Sequence, residues 1–302
     1  MKGPTRRDVL RAGAIGVVAP GLGSAAMSQG TAGFRLNYAP HPGMFRLHAG
    51  DSLVDQIKFS ADEGFRAWED NGMKGRSTQD MDAIAKALSD RKMMMGIFVA
   101  HTLDWSNPTL TTGRKEFHDR FVREMEESTE VAKRINAKWV TTVIGRLDPN
   151  RPFGHQFASV VDTLRAACEK CEKTGLVMVV EPLNWRDHPG MYGATSDILY
   201  ATCKAVNHPS CKLLQDLYHL QVTEGNLIDN MNRCWDQIAY FQTGDNPGRA
   251  EPGSGEVNYK AVLGHIAKRG FTGILGMEHG ASEGGKAGER KVINAYRAAD
   301  AL

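Results

Sequence analysis

Eight short apolar runs alternate with eight amphipathic segments from Phe34 to the C-terminus, and this alternation predicts a single-domain α/β protein, a (β/α)8 TIM barrel. Most of the runs are continuously apolar, as strands covered on both faces must be. An open doubly wound sheet shares the alternation but would carry a Gly-rich phosphate loop after its first strand, and FRLNYAPHPGMF has none. The expected domain is 33–302, a length that suits one barrel of about 250 residues.

In chain order, FRLNYA precedes helical periodicity over Ser52–Asp62, and GFRAWE precedes Thr78–Ser89, which Ser77 or Thr78 can cap. MMMGIFVA leads into Lys115–Asn136, and WVTTVIG into His155–Thr174, which Gly175 can stop. LVMVVE is followed by Thr195–Val206, opened by Thr195 or Ser196, and KLLQD by Leu227–Trp235. IAYFQT precedes Tyr259–Lys268, ended by Gly270, and GILGME precedes Glu289–Ala301. The longest loops on the C-terminal side of the strands are PLNWRDHPGMYGA, TGDNPGRAEPGSGEVN and HGASEGGKAGE; loops on that face carry function.

Residues 1–26 read as a twin-arginine (Tat) export signal and are set apart from the fold. Arg6 and Arg7 follow Thr5, an apolar Gly- and Ala-rich stretch runs from Ala12 to Ala26, and Ser24, Ala25 and Ala26 offer a cleavage site. Pro20 and several glycines interrupt the stretch, which disfavours a permanent membrane span. The expected location is periplasmic, reached by a folded chain with its metal already loaded.

The chain carries 37 Lys and Arg against 35 Asp and Glu, and cleavage would remove Lys2, Arg6, Arg7 and Arg11 with Asp8, leaving it near neutral. That balance offers no surface to nucleic acid or to an anionic membrane. An odd number of cysteines (Cys168, Cys171, Cys203, Cys211, Cys234) leaves at least one thiol unpaired. Cys168 and Cys171 have CxxC spacing but share an apolar face with Leu164, and no second CxxC closes a zinc site, so they are expected in the core.

Four polar residues close four successive apolar runs: Glu181 in VMVVE, Asp216 in KLLQD, Gln242 in IAYFQ and Glu278 in GILGME. Singly, each is an ordinary cap or loop contact. Together, at strand ends that converge on one mouth, they can share one metal ion. Three carboxylates and an amide form a hard oxygen site that favours Mg²⁺ or Mn²⁺ over Zn²⁺. Such an ion can hold a carbonyl and the neighbouring hydroxyl and stabilise an enediolate, chemistry that suits aldose–ketose isomerisation and epimerisation. Glu181 and Glu278 can flank that substrate as a proton-transfer pair. His219 is placed to hydrogen-bond a substrate oxygen, and Arg249 to hold a carboxylate or hydroxyl terminus. Arg186, His188, Tyr192 and Glu251, in the mouth-side loops, are also expected near the substrate.

The segments EPLN at Glu181, DLYHLQVTEGNL from Asp216 to Leu227, FQTGDNPGRAEPGSGEVNY from Phe241 to Tyr259 and GMEHG around Glu278 resemble the hydroxypyruvate isomerase branch of the xylose isomerase-like barrels. The resemblance implies Glu181, Asp216, Gln242 and Glu278 as ligands of one divalent ion, with Glu181 and Glu278 as the proton-transfer pair. Related ketose 3-epimerases usually place a His where Gln242 stands, which tilts the reading toward the isomerase branch. AHTLDWSNP after the third run and WRDHPGMYG after EPLN depart from the branch's pattern. The expected partner is a small carbohydrate or hydroxy-carbonyl substrate, and a homo-oligomer is left open. The rival readings are a ketose 3-epimerase or keto-sugar enzyme of the same family and a periplasmic sugar-binding barrel without turnover. A barrel nuclease would need many His ligands and a basic surface, and the sequence has neither.

Overall fold

Each apolar run contributes one parallel strand: β1 (Asn37–Ala39), β2 (Ala67–Trp68), β3 (Met94–Met95), β4 (Trp139–Thr142), β5 (Val177–Val180), β6 (Cys211–Asp216), β7 (Ile238–Gln242) and β8 (Ile274–Gly276). They belong to a computed structural model that describes residues 33–301. The expected export signal at 1–26 lies outside the described residues. Six strands run in the order β1-β8-β7-β6-β5-β4, and β2 pairs with β3. Two further links curl these into a ring. The Glu69 amide donates to Pro40 O at 2.9 Å between β2 and β1. Beyond β3, the Thr141 amide donates to Phe98 O at 2.9 Å and the Ala100 amide to Thr141 O at 3.1 Å.

The eight expected helices are present: α2 (Leu53–Asp62), α3 (Thr78–Asp90), α4 (Lys115–Ile135), α5 (Phe153–Glu172), α6 (Ser196–Val206), α8 (Leu227–Cys234), α9 (Tyr259–Lys268) and α10 (Gly285–Asp300). Ser77 caps α3, accepting the Asp80 amide at 3.1 Å. Two short helices were not expected, α1 (Arg46–Ala49) and α7 (Leu217–Thr223). The second starts directly after the run because Asp216 turns the chain: its Oδ1 accepts the amides of Tyr218 at 2.8 Å and His219 at 3.0 Å.

Inside the ring a small cluster of Ala39, Ala67, Ile97, Val179, Leu214, Tyr240 and Ile274 fills the barrel, with Trp139 packed against it. The larger core, which includes Cys168, Cys171, Cys203, Cys211 and Cys234, lies between strands and helices. All five thiols are buried and unpaired. The third apolar run yields a two-residue ladder because Tyr240 intrudes on it: the Tyr240 hydroxyl crowds Gly96 and accepts the Ile97 amide at 3.4 Å.

β8 passes close over Glu69, and a Cβ on Gly276 would overlap its carboxylate. Gly276→Ala should therefore lower stability by about 1–3 kcal/mol, the usual cost of overpacking. The measurement is the urea midpoint, which should fall at constant m-value.

Candidate active site at the barrel mouth

Strand register brings the four expected ligands to one rim. Asp216 and Gln242 are paired positions on β6 and β7, and Gln242 pairs with Gly276 on β8. Glu278 follows Gly276 by two residues. Glu181 is the first residue past β5, and its amide donates to Thr142 O at 3.0 Å. All four sit at the C-terminal end of the barrel.

Arg249 joins two of them: its Nη2 lies 2.5 Å from Glu278 Oε2 and 3.3 Å from Asp216 Oδ2, and its Nε donates to Glu278 O at 3.1 Å. The guanidinium also lies 4.8 Å from the Tyr218 ring centre. The loop after β7 is folded around the Asp245 carboxylate, which accepts the amides of Asn246 (2.9 Å), Gly253 (2.8 Å), Gly255 (3.0 Å) and Val257 (3.0 Å). Arg249 itself sits at φ 46°, a left-handed conformation that a residue without a special role seldom holds. Asn71 Nδ2 donates to Glu278 Oε1 at 3.1 Å, and the Thr141 hydroxyl to Glu181 Oε2 at 3.0 Å.

The tautomer of His219 follows from its neighbours. The Asn184 amide N–H donates to His219 Nδ1 at 3.1 Å, and the Asn184 side-chain amide reaches the same atom at 2.7 Å. Burial lowers the His219 pKa to about 4, so the ring is neutral and its proton sits on Nε2. Nε2 lies 3.8 Å from Asp216 Oδ2. One atom each from Glu181, Asp216 and His219 falls within 4.8 Å of the others, a spacing that a metal ion could bridge. A protonated Nε2 cannot ligate, however, so His219 enters this cluster as a hydrogen-bond donor.

Packing carboxylates together raises their pKa values. Glu181 is held well above the usual range by burial, then by Glu278 and Asp216. Glu278 is pushed up to about 7 by burial and by Asp216, against the pull of Arg249. Its side chain keeps 26% exposure, so solvent relieves that shift more than it can for Glu181, 8% exposed.

The donor set fits a hard divalent cation, and one atom argues for this in particular. Gln242 Oε1 is buried with no hydrogen-bond partner, while Gln242 Nε2 donates to Glu69 Oε1 at 3.0 Å. A buried amide oxygen without a partner costs about 1–3 kcal/mol, and a cation ligated there would remove that cost. Glu69 Oε2 accepts the Tyr240 hydroxyl at 2.7 Å. With both oxygens engaged, Glu69 fixes which way the Gln242 amide points. Burial, then the charge of Glu278, raises the Glu69 pKa to about 8.

Of the other expected residues, Arg249, His188 and His219 line the mouth cavity together with Glu181 and Glu278. Tyr192 does not: it is buried, its hydroxyl is 3.0 Å from Thr202 Oγ1 and its ring stacks on Phe153. Glu251 is a loop anchor, accepting the Ser282 amide at 2.8 Å. Arg186 lies over the Trp185 ring, outside the cavity lining. The sequence reading missed Glu69, although GFRAWE ends in a carboxylate as three of the four runs above do. It also missed Asn71, Thr141 and Trp105, for which no pattern in the sequence gives a signal.

Glu69 and Glu278 bind protons more tightly in the metal-free folded chain than at their ordinary value of 4.5. Their contribution to stability is thus complete below about 4.5 and is lost as pH rises through about 7 and 8. Each such proton steepens the fall by about 1.4 kcal/mol per pH unit in that window. Urea midpoints of the metal-free protein should fall from pH 5 to pH 8, and less steeply in Glu69→Gln; parallel profiles would refute the assignment.

Comparison with known proteins identifies the family of the chain. The chain is 26% identical over 204 residues to hydroxypyruvate isomerase of Escherichia coli, covering 66% of this chain and 78% of that protein. It is 26% identical over 256 residues to 2-oxo-tetronate isomerase of Cupriavidus necator, covering 81% and 92% respectively. The crystal structure of a family 2 AP endonuclease from Brucella melitensis superposes with a TM-score of 0.72 at 21% identity, over 84% of this chain and 96% of that one. Residues 57–299 match the xylose isomerase-like TIM barrel family, and the chain belongs to that family.

Proposed function

We propose that the chain is a metal-dependent isomerase of small hydroxy-carbonyl compounds, working through an enediolate like an enzyme that converts hydroxypyruvate to tartronate semialdehyde. The observation that carries this reading is the convergence of Glu181, Asp216 and Glu278 on one rim, beside a Gln242 oxygen with no protein partner. The relatives named as isomerases support the reaction class.

Glu181, Asp216, Gln242 and Glu278 would hold the ion. Asp216 has Oδ2 to offer, since its Oδ1 is occupied in capping α7. A bound Mg²⁺ or Mn²⁺ supplies Lewis acidity toward the substrate carbonyl and its neighbouring hydroxyl. The protein moves the proton. Glu278, held near neutrality by its surroundings and contacted by Arg249 and Asn71, takes the α proton; the C–H electron pair becomes the enediolate double bond. Glu181, the more deeply buried of the two and protonated at the outset, delivers its proton to the former carbonyl carbon, while the hydroxyl proton passes to the former carbonyl oxygen. The carbonyl thus moves by one carbon with no net redox change, and proton exchange with solvent then resets the two carboxyls. The His219 Nε2–H donates to a substrate oxygen, and Thr141 fixes the Glu181 carboxylate.

Glu278→Gln keeps an oxygen ligand while removing the proton acceptor. Turnover should drop by about 10²–10⁴-fold, the contribution general-base catalysis usually makes, with Mn²⁺ affinity by titration calorimetry much less affected. Near-normal exchange of substrate hydrogen for solvent deuterium, followed by NMR in D₂O, would exclude the proposed pair.

We further propose that residues 1–26 direct twin-arginine export to the periplasm. Arg6→Lys with Arg7→Lys should hold a folded protein in the cytoplasm, judged by fractionation. Undiminished periplasmic accumulation would sink the idea.

A further inference from the structure

The outer faces of the barrel helices are laced with ion pairs, and one helix departs from this. α2, α3, α4, α5, α6, α8 and α10 each place at least one side chain in a pair, such as Asp55 with Lys58, Asp229 with Arg233 and Arg290 with Glu63. α9, YKAVLGHIAK, holds no acid. Among the described residues, neither Lys260 nor Lys268 on it has a carboxylate partner.

The same helix forms one side of a groove. Ile228 of α8 and Ala261, Gly264 and Ala267 of α9 contribute its apolar lining, and Lys260, Lys268 and Arg35, the last just before β1, contribute its charges. The groove has a volume of about 620 Å³ and shares no residue with the mouth cavity. All three cations are exposed, and no acidic side chain among the described residues lines the groove. Arg269, which follows α9, adds a further positive charge beside it. This field reaches His265, a lining residue whose Nε2 lies 2.9 Å from Asn232 Oδ1: burial first, then Arg269 and Lys268, lowers its pKa.

Like charges gathered on a near-neutral chain repel one another, a cost that an anionic partner relieves. Lys260 and Lys268 are two helical turns apart, about 12 Å along the axis at about 1.5 Å per residue. Carboxylates on one face of an α-helix recur at the same interval, and a helix laid in the groove would cover the apolar lining between the two lysines. A second copy brought in by a two-fold axis would set these cations against themselves. A bilayer is too flat to follow a groove between two helices.

We propose that the groove between α8 and α9 docks an acidic amphipathic helix of a partner protein. Its carboxylates meet Lys260, Lys268 and Arg35, and its apolar side chains cover Ile228, Ala261 and Ala267. Docking there involves none of the side chains at the mouth.

The test uses full-length protein and a synthetic amphipathic helix with leucines along one face and glutamates two turns apart beside them, followed by fluorescence anisotropy. A scrambled peptide of the same composition keeps the charge and loses the face, and should bind about tenfold more weakly. Lys260→Glu with Lys268→Glu should weaken binding of the amphipathic helix by about tenfold or more. Ala261→Trp, which fills the groove and leaves every charge in place, should do the same. Both variants should keep a urea midpoint close to that of the parent, since Lys260, Ala261 and Lys268 are exposed. Equal binding of the scrambled peptide, or undiminished binding in Ala261→Trp, would reveal a charged surface without a docking groove and overturn the proposal. A dimer in light scattering that the double charge reversal dissolves would assign the face to a second copy, and preference for phosphatidylglycerol vesicles over the peptide would assign it to lipid; either would overturn the proposal too. Failure of the amphipathic helix to bind would end it.

Discussion

Three carboxylates brought to one rim of a barrel repel each other, and the Arg249 guanidinium between Glu278 and Asp216 is the counter-charge around which the mouth is arranged. Its position requires a left-handed residue in a loop, and that loop is tied down by the four amides gathered on Asp245. The Arg249 carbonyl accepts the Gly280 amide at 3.0 Å, so the loops after β7 and β8 are joined at the same residue. Burial is the first reason Glu181 and Glu278 keep raised pKa values, and one cation among three anions does not offset it. The mouth is electrostatically unfinished in a way that suits a divalent ion.

A second layer beneath the rim sets the direction of the side chains proposed as ligands. Glu69 ties the Gln242 amide and Tyr240 together, Thr141 holds Glu181, and Asn184 fixes the tautomer of His219. Each is a short hydrogen bond from a buried or half-buried side chain, and each decides which atom faces the cavity. Metal and catalytic sites depend on this supporting layer because a ligand that can rotate loses much of its affinity. The absence of a side chain at Gly276 makes room for Glu69 in that layer.

The barrel was legible because burial on both faces writes strands as continuous apolar runs and because helix periodicity survives between them. Tyr259–Lys268 matches the sequence reading at both ends, and most other helices match within one or two residues. The main misplacements have local causes: α7 begins where Asp216 caps it, and β3 is cut short by the Tyr240 hydroxyl. Glu181, Asp216, Gln242 and Glu278 were legible as strand ends, since the position of a strand end in a barrel fixes the face on which it emerges. Contacts made by loops were not. Tyr192 and Glu251 were expected at the substrate and instead anchor the scaffold, because nothing in a loop's sequence says which way its side chains turn. Glu69 shows the opposite error: its strand-end signal was as good as the others, but its contacts are hydrogen bonds to residues far along the chain, Tyr240 and Gln242.

This division also separates chemistry from recognition. The groups proposed to move the proton and to hold the ion sit at or just past strand ends, whose positions the barrel fixes to within the freedom of one side chain. Trp105, Leu103 and Leu183 sit on loops that can change length and composition without disturbing the ring. A substrate change therefore needs no change in Glu181, Asp216, Gln242 or Glu278. It needs a different wall opposite them. The departures in AHTLDWSNP and WRDHPGMYG fall in the segments that build that wall and its rim, where Trp105 meets His188. In this chain the proposed reaction class thus rests on the strand ends, while the identity of the substrate has to be read from the loops.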